Sequence, residues 1–186
     1  MGWEEIGNNV LVLRGEKGSP NTGIVVANGI AFVIDPGMGD DRAKKIHEKI
    51  NTMGIARRFA ILTHAHVDHM AACKGFERVF AHRWETILAE SATCRNVCEF
   101  NVVDPKGFKF ITADSVPVTD EIWWGDDILG IVARDTHGHT PGHTAFTYKE
   151  FVFAGDALFG DRLLDKVKIL YHTDVFEAMK SLDEYL

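Results

Sequence analysis

Apolar residues in this chain gather into short unbroken runs, the mark of strands buried on both faces, and between the runs lie stretches with a helical period. Val10-Leu11-Val12-Leu13 is the first run. Residues 23–27 and 30–34 follow, and Asn28-Gly29 between them is a two-residue hairpin signal. The second of these strands ends at Asp35-Pro36-Gly37, a turn that leaves Asp35 at its carboxyl end. Over residues 41–53 the period changes. Ala43, Ile46, Ile50 and Met53 share one helical face, charges occupy the other, and His47 stands beside the apolar stripe. After Gly54 the pattern predicts a strand ending in Phe59-Ala60-Ile61-Leu62, with a helix starting at Met70-Ala71-Ala72-Cys73.

Residues 76–81 predict another strand, ended by His82, and residues 84–91 a helix. Residues 96–114 lack clear periodicity and read as a long loop of the kind that shapes a substrate pocket. Ile122-Trp123-Trp124 and residues 128–133 pattern as a hairpin around Gly125-Asp126-Asp127. Residues 145–148 and 151–154 pattern as another around Lys149-Glu150. Residues 174–186 form an amphipathic helix with Asp174 as its N-cap. The two halves echo each other: hairpin strands, a histidine-bearing turn, a helix. Helices flanking two packed sheets bury such a pattern, so a mixed α/β (α+β) fold is expected. With no linker or low-complexity run, residues 1–186 read as a single domain.

Composition narrows the partners. At 186 residues, 46% hydrophobic and 25% charged, the chain has ordinary globular make-up and enough length for a buried core. The net charge of −7 and the lack of a basic run argue against nucleic acid, which needs a Lys/Arg footprint. No signal pattern opens the sequence and no apolar run has membrane-spanning length. Three cysteines cannot all pair with one another, and reduced thiols suit a cytoplasmic protein. Cys94 and Cys98 have helical i,i+4 spacing. They read as small buried helix residues in preference to a soft-metal pair.

The chemistry concentrates in Thr63-His64-Ala65-His66-Val67-Asp68-His69, between the strand that ends at Leu62 and the helix after it. Imidazole and carboxylate are the donors that a borderline divalent ion prefers. His64 and His66 can reach one ion from extended backbone, and Asp68 and His69, past the bend, can face a second. His-x-His-x-Asp-His resembles the signature of the metallo-β-lactamase superfamily. Thr136-His137-Gly138-His139-Thr140-Pro141-Gly142-His143 resembles the family's Gly-His-Thr-Pro-Gly-His element, and Gly155-Asp156-Ala157-Leu158-Phe159 its Gly-Asp-x-Leu-Phe element. Asp35 matches an early aspartate that supports the histidine loop. The resemblance runs from about Ile24 to Phe159.

It implies a four-layer αβ/βα sandwich with the site at one edge, and metal ligation by His64, His66, Asp68, His69, His139 and Asp156. Asp156 would bridge two ions, and His143 would steady a ligand or loop. His82 and His137 receive no ligand role. Zinc is the expected ion, one or two per chain, with iron or manganese as alternatives. A metal-bound hydroxide would attack an ester, thioester or related bond of a small-molecule substrate, with Asp68 orienting it and sharing in proton transfer. The motifs look most like the glyoxalase-II branch, whose full-length hydrolases add a helical domain for which these 186 residues leave no room. A mononuclear-iron persulfide dioxygenase, using His64, His139 and Asp156, and a metal-binding domain without turnover are the other expectations. The family's last ligand histidine, beyond the helix that follows the bridging aspartate, has no counterpart up to Leu186, so the fold is expected to lack its last elements. His172, which precedes that helix, is the nearest substitute. Substrate and oligomeric state are left open.

Overall fold

This computed structural model of the protein describes residues 2–16, 20–101, 103, 114–165 and 171–185. Eleven strands form two sheets among these residues. The first sheet begins as an antiparallel meander of β1 (Trp3–Gly7), β2 (Val10–Leu13), β3 (Thr22–Ala27) and β4 (Ile30–Ile34). The β3–β4 turn is the expected one, with Asn28 and Gly29 both at positive φ, 51° and 75°. The sheet then continues in parallel through β5 (Arg57–Ile61), β6 (Arg78–His82) and β7 (Asp120–Ile122). Helix α1 (Asp40–Thr52) makes the crossover from β4 to β5. The second sheet is antiparallel, in the order β11 (Phe151–Phe153), β10 (Thr144–Tyr148), β9 (Ile131–Asp135), β8 (Asp127–Ile128).

Alternation along the strands sorts the core into layers. Phe32, Ile34, Phe59, Ile61 and Phe80 point from the first sheet toward Ile131, Ala133, Phe146 and Tyr148 of the second. The opposite face of the first sheet meets α1 through Ala31, Val33, Ile46 and Ile50. It meets α3 (Arg83–Glu90) through Ala60, Leu62, Ala81, Leu88 and Ala89. Each fully buried Leu, Ile, Val or Phe of these layers contributes about 1.5–3 kcal/mol. After the one-turn α5 (Asp161–Leu164), α6 (Val175–Tyr185) on the outer face of the second sheet brings Glu184 near Arg134, Thr147 and Val152. These are the layers of the expected sandwich. As expected, Asp174 caps α6, its Oδ1 accepting from the amides of Phe176 and Glu177 at 3.0 and 3.1 Å. No helix among the described residues is long and apolar enough to cross a membrane.

Several elements differ from expectation. Strand β1 is absent from the sequence reading. Its half-buried Trp3 and Gly7 flank exposed positions, which is a weak pattern. The helix after the histidine motif, α2 (Val67–Met70), begins earlier and lasts one turn. It stops because the chain there pairs with the loop after β4: Gly37 N donates to His69 O and Ala72 N to Gly37 O. Where a loop was expected over residues 96–114, α4 (Ala92–Phe100) occupies the start, and residues 102 and 104–113 lie outside the described ones. Its period is hidden because the inward positions are Arg95 and Asn96. Arg95 donates to the carbonyl of Leu88 at 2.7 Å and so ties α4 to α3.

The expected hairpin around Gly125-Asp126-Asp127 does not form. β7 joins the first sheet beside β6, and the hairpin is β8–β9, turning at Leu129 and Gly130, with φ of 54° and 92°. The thiols are unpaired, but Cys98 is exposed and Cys94 half-buried, so only Cys73 is buried among them.

Candidate metal centre

The parallel half of the first sheet directs the ends of β4, β5 and β6 to one edge, where Asp35, residues 63–69 and His82 emerge. Ligand sites of open α/β sheets favour that edge. Asp35, at φ 50°, is buried beneath the histidine turn. Its Oδ1 accepts from Thr63 N at 2.9 Å, and its Oδ2 from Thr63 Oγ1 at 2.7 Å. Oδ2 also lies 2.9 Å from His69 Nδ1, which leaves His69 Nε2 facing the site. That nitrogen is 3.2 Å from Asp156 Oδ1, without the alignment of a hydrogen bond, and 3.7 Å from Asp68 Oδ2. Burial by itself would push the His69 pKa down. The carboxylates of Asp35 and Asp156, one on each ring nitrogen, instead hold it well above its ordinary value.

The second sheet supplies the other turn, and Thr144 N donates to Thr63 O at 2.9 Å to join the two. His139 Nδ1 donates to the carbonyl of Tyr171 at 2.7 Å. Its Nε2 then stands 3.1 Å from His66 Nδ1 and 3.5 Å from Asp156 Oδ2. His64 is fully buried, with Nδ1 3.0 Å from Thr63 Oγ1 and Nε2 without a partner. Burial, reinforced by the neighbouring imidazoles, holds His64 and His66 well below the ordinary histidine range. His139 is pushed down to about 4, mainly by burial and against the pull of Asp156.

Among the described residues two sets of donors result: His64, His66 and His139, and His64, His69 and Asp156. Within each set the ligand atoms lie within 4.8 Å of one another. Four-coordinate zinc with bonds of about 2.0–2.1 Å needs donors roughly 3.3 Å apart. The separations of 3.1 Å in the first set and 3.2 Å in the second match that spacing, and Asp156 Oδ2 stands 3.5 Å from His139 Nε2 across the two. The buried, unbonded Nε2 atoms of His64 and His69 are the ring atoms an ion would take. The residues fit a metal ion. Asp68 is half-buried at the rim and joins neither set.

Other histidines have separate work. His143 accepts from the Asp156 amide through Nε2 at 3.1 Å, and its Nδ1 lies 3.1 Å from the Thr136 carbonyl. Gly155, at φ 53°, allows this approach: a Cβ there would come within 2.7 Å of His143 Nε2. His82 accepts from Trp84 N at the start of α3 and stacks on Trp124, with ring centroids 4.3 Å apart. His137 lies 2.6 Å from Asp135 Oδ1 and 3.2 Å from Glu177 Oε2, tying α6 to the turn. The ring of His172 is 5.4 Å from that of His139, with Nδ1 buried and unbonded, outside both donor sets.

Two acidic residues were missed in the sequence. Glu99 Oε1 on α4 lies 3.8 Å from His66 Nε2, and burial raises its carboxyl to about 7. Glu85 on α3 accepts from the amides of Ala65 and Gly142. A signal for Glu85 exists: it shares a helical face with the buried Leu88 and Ala89.

A profile of the metallo-beta-lactamase superfamily matches residues 15–186. The chain belongs to the metallo-beta-lactamase superfamily. It is 30% identical over 138 residues to a hydroxyacylglutathione hydrolase of Buchnera aphidicola subsp. Schizaphis graminum, 71% of this chain and 44% of that protein. It is 30% identical over 135 residues to one of Methylobacillus flagellatus, 72% of this chain and 45% of that protein. The chain thus spans under half the length of these curated relatives. Among solved structures it resembles TTHA1623 in a di-iron-bound form, with a TM-score of 0.67 at 24% identity, covering 92% of this chain and 83% of that one. It also resembles BJP-1, a subclass B3 metallo-beta-lactamase of Bradyrhizobium japonicum, with a TM-score of 0.70 at 18% identity, covering 99% and 73%. These likenesses establish the superfamily fold.

Proposed function

We propose that the chain is a metal-dependent hydrolase cleaving an ester, thioester or related bond of a small molecule. The observation that carries this reading is the pair of donor sets, with His64 common to both and Asp156 reaching from His69 to His139. Nitrogen and carboxylate donors at this spacing suit zinc first, and iron or manganese as alternatives. One or two such ions, when bound, supply Lewis acidity and a water of lowered pKa.

The chain's own residues supply orientation and proton transfer. Asp35 fixes the ring of His69, and the Tyr171 carbonyl fixes that of His139. His143 holds the backbone of Asp156. Asp68, beside His69 at the rim, orients water and accepts its proton. Burial raises its carboxyl above the usual value, which makes it a stronger proton acceptor. The relatives named hydroxyacylglutathione hydrolase make a hydroxyacyl thioester of glutathione the first substrate to try. The net charge of −7 favours a small molecule over nucleic acid, and three unpaired thiols favour a reducing, cytoplasmic setting.

The test is elemental analysis of protein purified without added metal, with thioester hydrolysis assayed before and after chelation. One or two equivalents of transition metal are expected, with activity lost on chelation and restored by zinc. Protein without metal, and without activity on addition of zinc, iron or manganese, would overturn the reading. One iron per chain with oxygen consumption would favour the dioxygenase chemistry that His64, His139 and Asp156 could also serve.

A further inference from the structure

The Glu85 carboxylate is fully buried. Burying a carboxylate is costly unless its oxygens are bonded. Here both are: Oε2 accepts from Ala65 N and Oε1 from Gly142 N, each at 2.8 Å. Ala65 lies between His64 and His66 in the turn after β5. Gly142 lies in the turn after β9, beside His143 and three residues from His139. A single carboxylate therefore grips the two histidine-bearing turns, one from each sheet.

Packing confirms how close the grip is. A Cβ on Gly142 would meet His82 Nδ1 at 2.7 Å, and Cγ and Oε1 of Glu85 at 3.0 Å. Gly142 is not among the positive-φ glycines, so the approach of His82 and Glu85, and not backbone conformation, demands glycine there.

We infer that Glu85 is a positioning residue that sets the separation of the two turns, and through it the 3.1 Å spacing of His66 Nδ1 and His139 Nε2. This rests on the reading of the site as a metal centre. A carboxylate is the group required because it offers two acceptors to two amides. Glutamine offers one acceptor and turns an NH2 toward the other amide. Aspartate, one methylene shorter, cannot span both.

The experiment titrates cobalt(II) alone into metal-free protein, following its visible absorption, and measures hydrogen exchange at the Ala65 and Gly142 amides without metal. Glu85→Gln should keep the parent's far-ultraviolet circular dichroism and weaken cobalt affinity about tenfold to a hundredfold. It should also shift the visible band and speed exchange at both amides. Gly142→Ala, which wedges the same contact while keeping the carboxylate, should shift the band likewise, and decides the matter if the glutamine variant does not fold. Ile50→Ala, in the core beneath α1, should lower Tm and leave cobalt affinity unchanged.

Parental affinity and band in Glu85→Gln would overturn the inference. So would an equal loss of affinity in Ile50→Ala at equal loss of Tm. If the parent binds no cobalt, the metal reading fails. The brace is then judged by exchange alone: faster exchange at both amides in Glu85→Gln sustains it, and unchanged exchange overturns it.

Discussion

The backbone amide of Asp156 donates to Nε2 of His143 at 3.1 Å. One histidine of the second motif therefore holds another residue's backbone and leaves the donor atoms to His139. His143→Ala would orphan a half-buried amide and free Asp156, which reaches toward both His69 and His139. A stability loss of about 1–3 kcal/mol is expected from the unsatisfied amide. Metal affinity should fall at both positions. Denaturant unfolding and a metal titration check this, and unchanged metal affinity would place Asp156 under some other control.

Asp35→Asn should separate the two donor sets. The amide oxygen can still accept from Thr63 N, but its NH2 would face Thr63 Oγ1 and His69 Nδ1, where a carboxylate oxygen now accepts. His69 should lose its orientation, and the position it shares with Asp156 should weaken about tenfold to a hundredfold. The set of His64, His66 and His139 reaches Asp35 only through the Thr63 hydroxyl on His64 and should lose far less affinity. Stoichiometry by elemental analysis at limiting metal should drop toward one per chain. Loss of all metal would show that the two positions are not independent.

His64→Ala should remove metal and activity together, because His64 belongs to both donor sets. A loss of at least about a hundredfold in affinity is expected, beyond that of an outer-shell partner. Cys94→Ser should be nearly silent, since that half-buried thiol takes part in neither set. Equal metal loss in the two variants would overturn this division.

Acid should destabilise the metal-free chain. Burial, with the other imidazoles adding to it, pushes His143 down to about 3, and burial likewise takes His139 to about 4. His64 and His66 also lie well below the ordinary 6.5. A lowered pKa means that the unfolded chain takes up protons which the folded chain refuses. The stability from these four is full above pH 6.5 and drains away as pH falls toward 4 and 3. His69 works the other way, its contribution present below 6.5 and lost as pH rises through its raised value. The carboxyls of Glu99, Glu85 and Asp68, which burial raises, also oppose the loss as pH falls. The four histidines together outweigh them, so Tm should fall from pH 7 to pH 4.5. A flat or rising Tm over that range would contradict these environments.

The strands with both faces buried, such as Phe32 to Ile34 and Phe59 to Ile61, are plain in the sequence because their runs have no polar break. Helix α4 is not, because the side chains it buries are Arg95 and Asn96, and an apolar period cannot reveal a polar face. The partner of β7 is not legible either. Ile122 looks the same whether it pairs with β6 or with β8, and only tertiary docking decides. Of the candidate site, the histidines and Asp156 stand in dense motifs, and the structure brings His64, His66, His69, His139 and Asp156 together while Asp68 stays at the rim. Glu85 and Glu99 carry no motif, and their roles arise from which turns α3 and α4 happen to face.

The division of the site between two sheets bears on the order of events in folding. Strands β1 to β4 pair with chain neighbours, as do β8 to β11, so each set can zip locally. The contact of His66 with His139 closes 73 residues of chain. Contacts of such separation bear a loop-closure entropy and form late. The histidine cluster should therefore not exist in the early collapsed chain, however much secondary structure that chain holds. An ion held by both turns could not template the fold. It would arrive after the sheets dock and act as a latch, slowing unfolding and leaving the rate of folding almost untouched.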